Sequence, residues 1–344
     1  MWTLLPLLLA TSGPMPPDWG YDPGGAGDSP AAATSAGRPV HTYSIVARDP
    51  KTGELGVVVQ SHYFSVGPIV PWAEAGVGAV ATQSLVLVDY GPNGLELMRK
   101  GMTAREALDS LLRADPHNEG RQVAMVDARG GVAAYTGRSC IPFAGQQQGD
   151  QFSAQANLMA SEAVWPAMAK AYERATGDLG ERLMQALEAA QAAGGDIRGK
   201  QSAAIVVVKA QSTGKPWADR VFDLRVEDHP EPLQELRRLM RLRRAYTLED
   251  EGDTFISEKK PAEAMVAYEA AMKLAPEIVE LRFWAAVSMY TNDRKAEATP
   301  IFREVFAKDP SYVVLIPRIA KAGLFPDDAA RIAEVQGLAK SKAK

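Results

Sequence analysis

The chain has 344 residues, 46% of them hydrophobic and 23% charged, the composition of a globular protein with room for two domains of ordinary size. A net charge of −4 argues against nucleic acid or an anionic membrane as the main partner. The single cysteine, Cys140, excludes an intramolecular disulfide and any multi-cysteine metal site, and reads as a small buried apolar residue.

The first forty residues differ from the rest. The opening "MWTLLPLLLATSG" holds a short apolar run at 4–10, far below the about 20 residues a spanning helix needs, so no transmembrane segment is expected. The run has the length of an export signal's apolar part. It lacks basic residues before it and a small-x-small cleavage pattern after it, which leaves an exported, periplasmic location and a cytoplasmic one both open. The next stretch, "PMPPDWGYDPGGAGDSPAAATSAGRP", is rich in Pro, Gly, Ala and Ser and buries too little apolar surface to order itself. Residues 1–40 are expected to be leader and tether.

From His41 the pattern changes. "TYSIVAR" and "ELGVVVQS" are β-branched strands joined by the turn cluster "DPKTG", a hairpin. "VGPIVPWAEAGVG" reads as a connector and "GAVATQSLVLV" as a third strand. Two helices follow, "GPNGLELMRKG" and "TAREALDSLLRAD", the second opened by Thr103 and Glu106 in capping-box spacing. "RQVAMVDARGGVAAYTG" is another hairpin, "RSCIPFAGQQQGDQ" a polar loop, and "QFSAQANLM" a strand. "EAVWPAMAKAYERAT" and "DLGERLMQALEAAQAAGG" are helices; "QSAAIVVVKA" and "ADRVFDLRVED" close the region as strands. Strands arriving as consecutive hairpins, with helices between the groups, predict an α+β domain with largely antiparallel sheets over 41–230. The glycines at 76, 78 and 91–94 fit neither a dinucleotide nor a P-loop spacing, and no cofactor is implied.

"TYSIVARDPKTGELGVVVQS", "VPWAEAGVGAVATQ", "RQVAMVDARGGVAAYTG", "AQANLM" and "FDLRVEDHPEPLQELRRL", in that order, resemble the family catalogued as domain of unknown function 1028. The resemblance covers roughly 41–244. It implies membership of the N-terminal-nucleophile (Ntn) hydrolase superfamily and a four-layer αββα sandwich, and it implies no substrate.

In that superfamily the first residue of the first strand is the nucleophile, so the resemblance singles out Thr42. A threonine hydroxyl is a weak nucleophile, and a free α-amine on the same residue, with a reference pKa of about 7.7–8, supplies the missing base. Thr42 acts in this way only if the bond to His41 is cut, which in the superfamily is often self-catalysed; residues 1–40 would then form part of a pro-segment. On the residues alone, Thr42 and Ser44 are ordinary strand residues sharing one face. An amide-cleaving site also needs donors for the developing oxyanion, and Ser61, which closes a predicted strand, with Gln83 and Asn157, near the ends of predicted strands, are the candidates. Proteasome-type members keep a lysine beside the nucleophile, whereas here Lys51 lies in the hairpin turn, leaving Arg48 or the amine itself to tune the hydroxyl. The four histidines, at 41, 62, 117 and 229, have no triad or metal spacing, and no metal site is expected.

The C-terminal part resembles tetratricopeptide repeats. Gly252, Phe255, Ala264 and Tyr268 precede Pro276 at the offsets of that repeat, and 34 residues on Ala286, Met289, Ala298 and Phe302 precede Pro310. The expectation is a linking helix at 231–244, then two repeats and capping helices over 245–340. By resemblance these would bind a protein or peptide partner. Arg237, Arg238, Arg241, Arg243 and Arg244 form either a docking patch for an acidic partner or a solvated helix face. The function implied is hydrolysis of an amide bond of unknown substrate; the rival is a non-catalytic scaffold built on the same sandwich and repeats.

Overall fold

The structure, a computed structural model, describes residues 40–340; the expected leader and tether up to residue 39, with the apolar run, lie outside them. The described chain runs β1 (Thr42–Arg48), β2 (Leu55–Ser61), β3 (Pro71–Glu74), β4 (Gly78–Ser84), α1 (Tyr90–Arg99), α2 (Ala104–Ala114), β5 (Arg121–Asp127), β6 (Val132–Thr136), β7 (Gly145–Gly149) and β8 (Phe152–Ala156). It continues through α3 (Val164–Arg174), α4 (Leu179–Ala192), β9 (Ser202–Val208), β10 (Arg220–Val226) and five helices: α5 (Pro232–Ser257), α6 (Pro261–Leu274), α7 (Val279–Thr291), α8 (Lys295–Lys308) and α9 (Ser311–Lys321). The last helix is α10 (Ala329–Gly337).

The fold is α+β with two antiparallel sheets. One has the order β10-β9-β2-β1-β8-β7, the other β3-β4-β5-β6. The inner faces meet through Val46, Val57, Val59 and Val206 on one side and Ala79, Ala81, Ala124 and Val126 on the other. The outer face of the larger sheet is covered by α3, α4 and the start of α5, and that of the smaller by α1 and α2. Covered on both faces, β2, β4, β5, β8 and β9 are buried along their whole length; β2 and β9 read as mostly apolar runs, whereas β4, β5 and β8 also bury polar side chains. The capping box on α2 forms as expected: the Thr103 hydroxyl accepts from the Glu106 N–H and the Glu106 carboxylate from the Thr103 N–H.

Three segments depart from the sequence reading. The expected connector contains β3, an edge strand whose first residue is proline, which needs no N–H there. The expected polar loop contains β7, "GQQQG", paired with β8 at an edge of the larger sheet, where a polar strand is tolerated because part of it faces solvent. The strand expected through Val88 ends at Ser84, whose φ of 71° turns the chain out of the sheet.

The helix expected at 231–244 runs without a break to Ser257 and packs antiparallel against α6. Gly252 permits the close approach: a Cβ there would lie 2.4 Å from the Tyr268 ring. The core of α6–α10 is apolar, with Ala264, Tyr268, Phe283, Ala286, Ala298 and Phe302 buried. The arginines of α5 are engaged within the chain. Arg237 binds Glu181 and Glu188 of α4, Arg244 binds Asp178, Arg241 binds Glu277 and Arg238 binds Glu235. Arg237, Arg241 and Arg244 fasten α5 to its neighbours, while Arg238 pairs within α5. No described helix is long and apolar enough to cross a membrane.

Candidate active site around Thr42

Antiparallel register sets Thr42, the first residue of β1, opposite Ser61, the last of β2. Just before it, Val40 pairs with Ser84 of the other sheet, its N–H donating to the Ser84 carbonyl at 2.7 Å and its carbonyl accepting the Ser84 N–H at 3.0 Å. The chain therefore crosses from one sheet to the other at His41. Thr42, fully buried, donates its hydroxyl to the Val40 carbonyl at 2.9 Å.

The carbonyl of His41, which would be attacked in a cut before Thr42, accepts two hydrogen bonds. The Ser61 hydroxyl donates at 2.6 Å and an Nη2 hydrogen of Arg198 at 2.9 Å. Arg198 is held by Asp196 through Nε to Oδ1 at 3.0 Å and Nη2 to Oδ2 at 2.7 Å, a fork-to-carboxylate fit that fixes the guanidinium plane. The Asp196 carboxylate is itself buried and also accepts the N–H groups of Arg198 and His62. The loop carrying both residues joins α4 to β9. It is stitched to the end of β8 by Ala160 N–H to Gly195 carbonyl at 2.9 Å and by Ile197 N–H to Leu158 carbonyl at 3.3 Å.

Behind Thr42, between the sheets, lies a layer of buried amides. Gln122 Nε2 donates to the carbonyls of Ala156 (2.9 Å) and Gly145 (3.2 Å), groups that can only accept, so its Oε1 must face the other way. That oxygen accepts from Gln83 Nε2 at 2.6 Å and from Asn157 Nδ2 at 2.9 Å. Both amides also face the Thr42 carbonyl, Gln83 at 3.2 Å and Asn157 at 3.5 Å. Ser44 joins the layer, donating to Gln83 Oε1 and accepting from Gln155 Nε2. With Asn157 oriented in this way, its Oδ1 faces His41 Nδ1 at 3.0 Å, and the imidazole is the donor. Burial, aided by the charge of Arg198, lowers the His41 pKa below its usual value against the opposing hydrogen bond from Asn157 and the charge of Asp196.

The four residues singled out in the sequence, Thr42, Ser61, Gln83 and Asn157, therefore meet in one cluster. Their contacts differ from the expectation of three donors on one oxyanion. Ser61 touches the His41 carbonyl, while Gln83 and Asn157 turn their N–H groups to Thr42's own carbonyl. Arg48 sits at the other end of β1, bonded to Gln151, and cannot tune the Thr42 hydroxyl; the cation at the site is Arg198. Sequence reasoning missed Arg198 and Asp196. The signal was slight, a short "GGDIRGK" with three glycines. Beside the cluster opens a cleft of ≈ 570 Å³ lined by His41, His62, Tyr63, Phe64, Leu158, Arg198 and Gln201. Leu158 there has φ 55° and Ser84 on the other side φ 71°, left-handed backbone at non-glycine residues of the kind that collects at functional sites. Among the described residues no group of three or more His, Cys, Asp or Glu side chains is placed to hold a metal ion.

Among curated proteins nothing matches this chain. Among solved structures, the crystal structure of protein SPO2555 from Silicibacter pomeroyi, described with DUF1028, is similar at 28% sequence identity and a TM-score of 0.52, over 58% of this chain and 87% of that one. The sequence itself matches DUF1028, a family of unknown function, over residues 42–236, a span that opens on Thr42 and carries every residue of the cluster except His41. The chain belongs to the DUF1028 family.

Proposed function

We propose that the protein is an N-terminal-nucleophile hydrolase that frees Thr42 by cutting its own His41–Thr42 bond and then hydrolyses an amide bond in a separate substrate. One observation carries the reading: the carbonyl immediately before Thr42 sits between the Ser61 hydroxyl and the clamped Arg198 guanidinium. These are fixed donors aimed where negative charge develops on attack, the arrangement from which removal of one donor costs roughly a hundred- to a thousand-fold in rate.

In the first step Thr42 Oγ adds to the His41 carbonyl carbon and the oxyanion takes the two donors. The C–N bond then breaks, the hydroxyl proton ends on the departing nitrogen, and an ester joins His41 to Thr42 Oγ. Water hydrolyses that ester to the His41 carboxylic acid and a free Thr42 amine. In turnover the amine takes the hydroxyl proton as Thr42 Oγ adds to the substrate carbonyl carbon, the substrate C–N bond breaks as that proton passes to the departing amine, and water hydrolyses the acyl ester to release the acid and restore Thr42. In this reading the helices over 245–340 are tetratricopeptide repeats that bring a protein or peptide partner to the same chain. The small residues at their close approaches and the aromatics between them support that part.

Intact mass and N-terminal sequence of the full-length protein, beside Thr42→Ala, test it. A wild type beginning at Thr42 and an uncut variant support self-cleavage. A wild type that keeps the His41–Thr42 bond overturns the hydrolase reading and leaves a binding scaffold.

A further inference from the structure

When the segment before Thr42 leaves, three buried or half-buried polar groups lose their partners together. Ser61 Oγ and Arg198 Nη2 lose the His41 carbonyl, and Asn157 Oδ1 loses the His41 Nδ1 hydrogen. In the uncut chain Ser61 and Asn157 have no exposed surface, so a ligand that refills the place buries them again, and a buried polar group without a partner is costly. The best ligand for the vacated place restores all three: a carbonyl oxygen for the first two and a side-chain donor for the third.

The position of that donor is defined. Asn157 cannot turn its amide to offer an N–H instead, because its Nδ2 is held by Gln122, whose own orientation is anchored by two backbone carbonyls. The group opposite must donate from the δ position of a side chain that begins at the carbon next to the carbonyl. Histidine does this from Nδ1 and asparagine from Nδ2. Leucine has the shape without the hydrogen, and aspartate presents a second acceptor.

Building on the proposed hydrolase reading, we propose that the site is specific for peptides and peptide-like amides carrying histidine or asparagine on the acyl side of the bond cut, with Asn157 reading that side chain. His41 is then a built-in copy of the substrate's acyl residue.

The test has two arms. Full-length chains carrying His41→Asn, His41→Leu and His41→Asp are followed for self-cleavage by intact mass over time. The cut wild type is then given N-acetyl-Xaa aminocoumarin amides with Xaa histidine, asparagine, leucine or aspartate. The expectation is that His41→Asn is cut at close to the wild-type rate and the leucine and aspartate variants roughly ten- to a hundred-fold more slowly, with the same order in kcat/KM. Self-cleavage and turnover in which leucine equals or exceeds histidine and asparagine would overturn the specificity and leave the hydrolase standing. A wild type that neither cuts itself nor turns over any amide overturns both.

Discussion

The two ends of this molecule bury opposite kinds of side chain. Around Thr42, six side chains with hydrogen-bonding groups, Thr42, Ser44, Ser61, Gln83, Gln122 and Asn157, have no exposed surface. Beyond residue 231, Glu249 is the one polar side chain buried among the described residues; the rest of that core is alanine, aliphatic and aromatic. An apolar core stabilises by about 1.5–3 kcal/mol per large side chain whatever its orientation, so it serves packing. A buried amide layer returns little net energy and is costly when one partner is missing, so it serves orientation. The difference separates the part that holds a shape from the part that aims atoms.

Deleting bulk from the helical end gives the largest expected effect. Phe302 is fully buried, with ring centroids 5.6 Å from Phe306 and 6.2 Å from both Phe283 and Tyr290. Phe302→Ala should cost about 3–5 kcal/mol in urea unfolding followed by circular dichroism. A cost below about 1 kcal/mol would mean the helices do not share one packed core, and the contrast drawn above would fail. At the other end the same scale of loss should follow without loss of volume. Gln122→Leu strands the donors of Gln83 and Asn157 and the Ala156 carbonyl, and should cost about 2–4 kcal/mol in the same assay. It should also slow the His41–Thr42 cut, since Asn157 is then free to turn. A neutral Gln122→Leu would show that the layer is not a connected network.

How far the sequence disclosed these two ends follows from the same physics. Strand composition and turn chemistry are local, so the β1–β2 and β5–β6 hairpins, the capping box and the positions of Thr42 and Ser61 at strand ends were legible, whereas Gln83 and Asn157 came to strand ends only where β4 and β8 stop short of the expected bounds. The 34-residue spacing of small and large residues exposed the helix pairs because close approach demands Gly252 and the alanines. Two of the four edge strands were hidden, β7 by glutamines and β3 by its proline, since an edge is permitted a composition that a central strand is not. Arg198 was hidden because it reaches His41 from 157 residues away through a loop whose course depends on contacts with the end of β8. No local pattern encodes that meeting.

Glu249 sharpens the comparison through pH. Burial first, then the charges of Asp253, Asp250 and Glu280, push its carboxyl up to about 7. Its pKa is higher folded than unfolded, so the folded state keeps the proton longer. Stability is greatest below about pH 4.5, falls as pH rises to about 7 and then levels off. Glu249→Gln should therefore stabilise the protein by about 2–3 kcal/mol at pH 8 and change little at pH 5. A gain that is the same at both pH values would mean that ionisation of this residue is not what the helical core opposes.

The smallest effect tests whether every buried amide near Thr42 serves the site. Gln60 neighbours Ser61 along β2, yet strand alternation sends it to the other face, where it lies opposite Tyr43 and Ala203 beneath the helical layer. It is fully buried, and neither atom of its amide has a partner among the described residues. An amide that orients something should cost stability when replaced, and one that orients nothing should be better replaced by an apolar side chain of similar length. Gln60→Met is expected to stabilise by about 1 kcal/mol in urea unfolding and to leave the rate of the His41–Thr42 cut unchanged. A loss of stability, or a slower cut, would place Gln60 in the same working network as Gln122. The polar design would then extend through the sheet instead of stopping at its inner face.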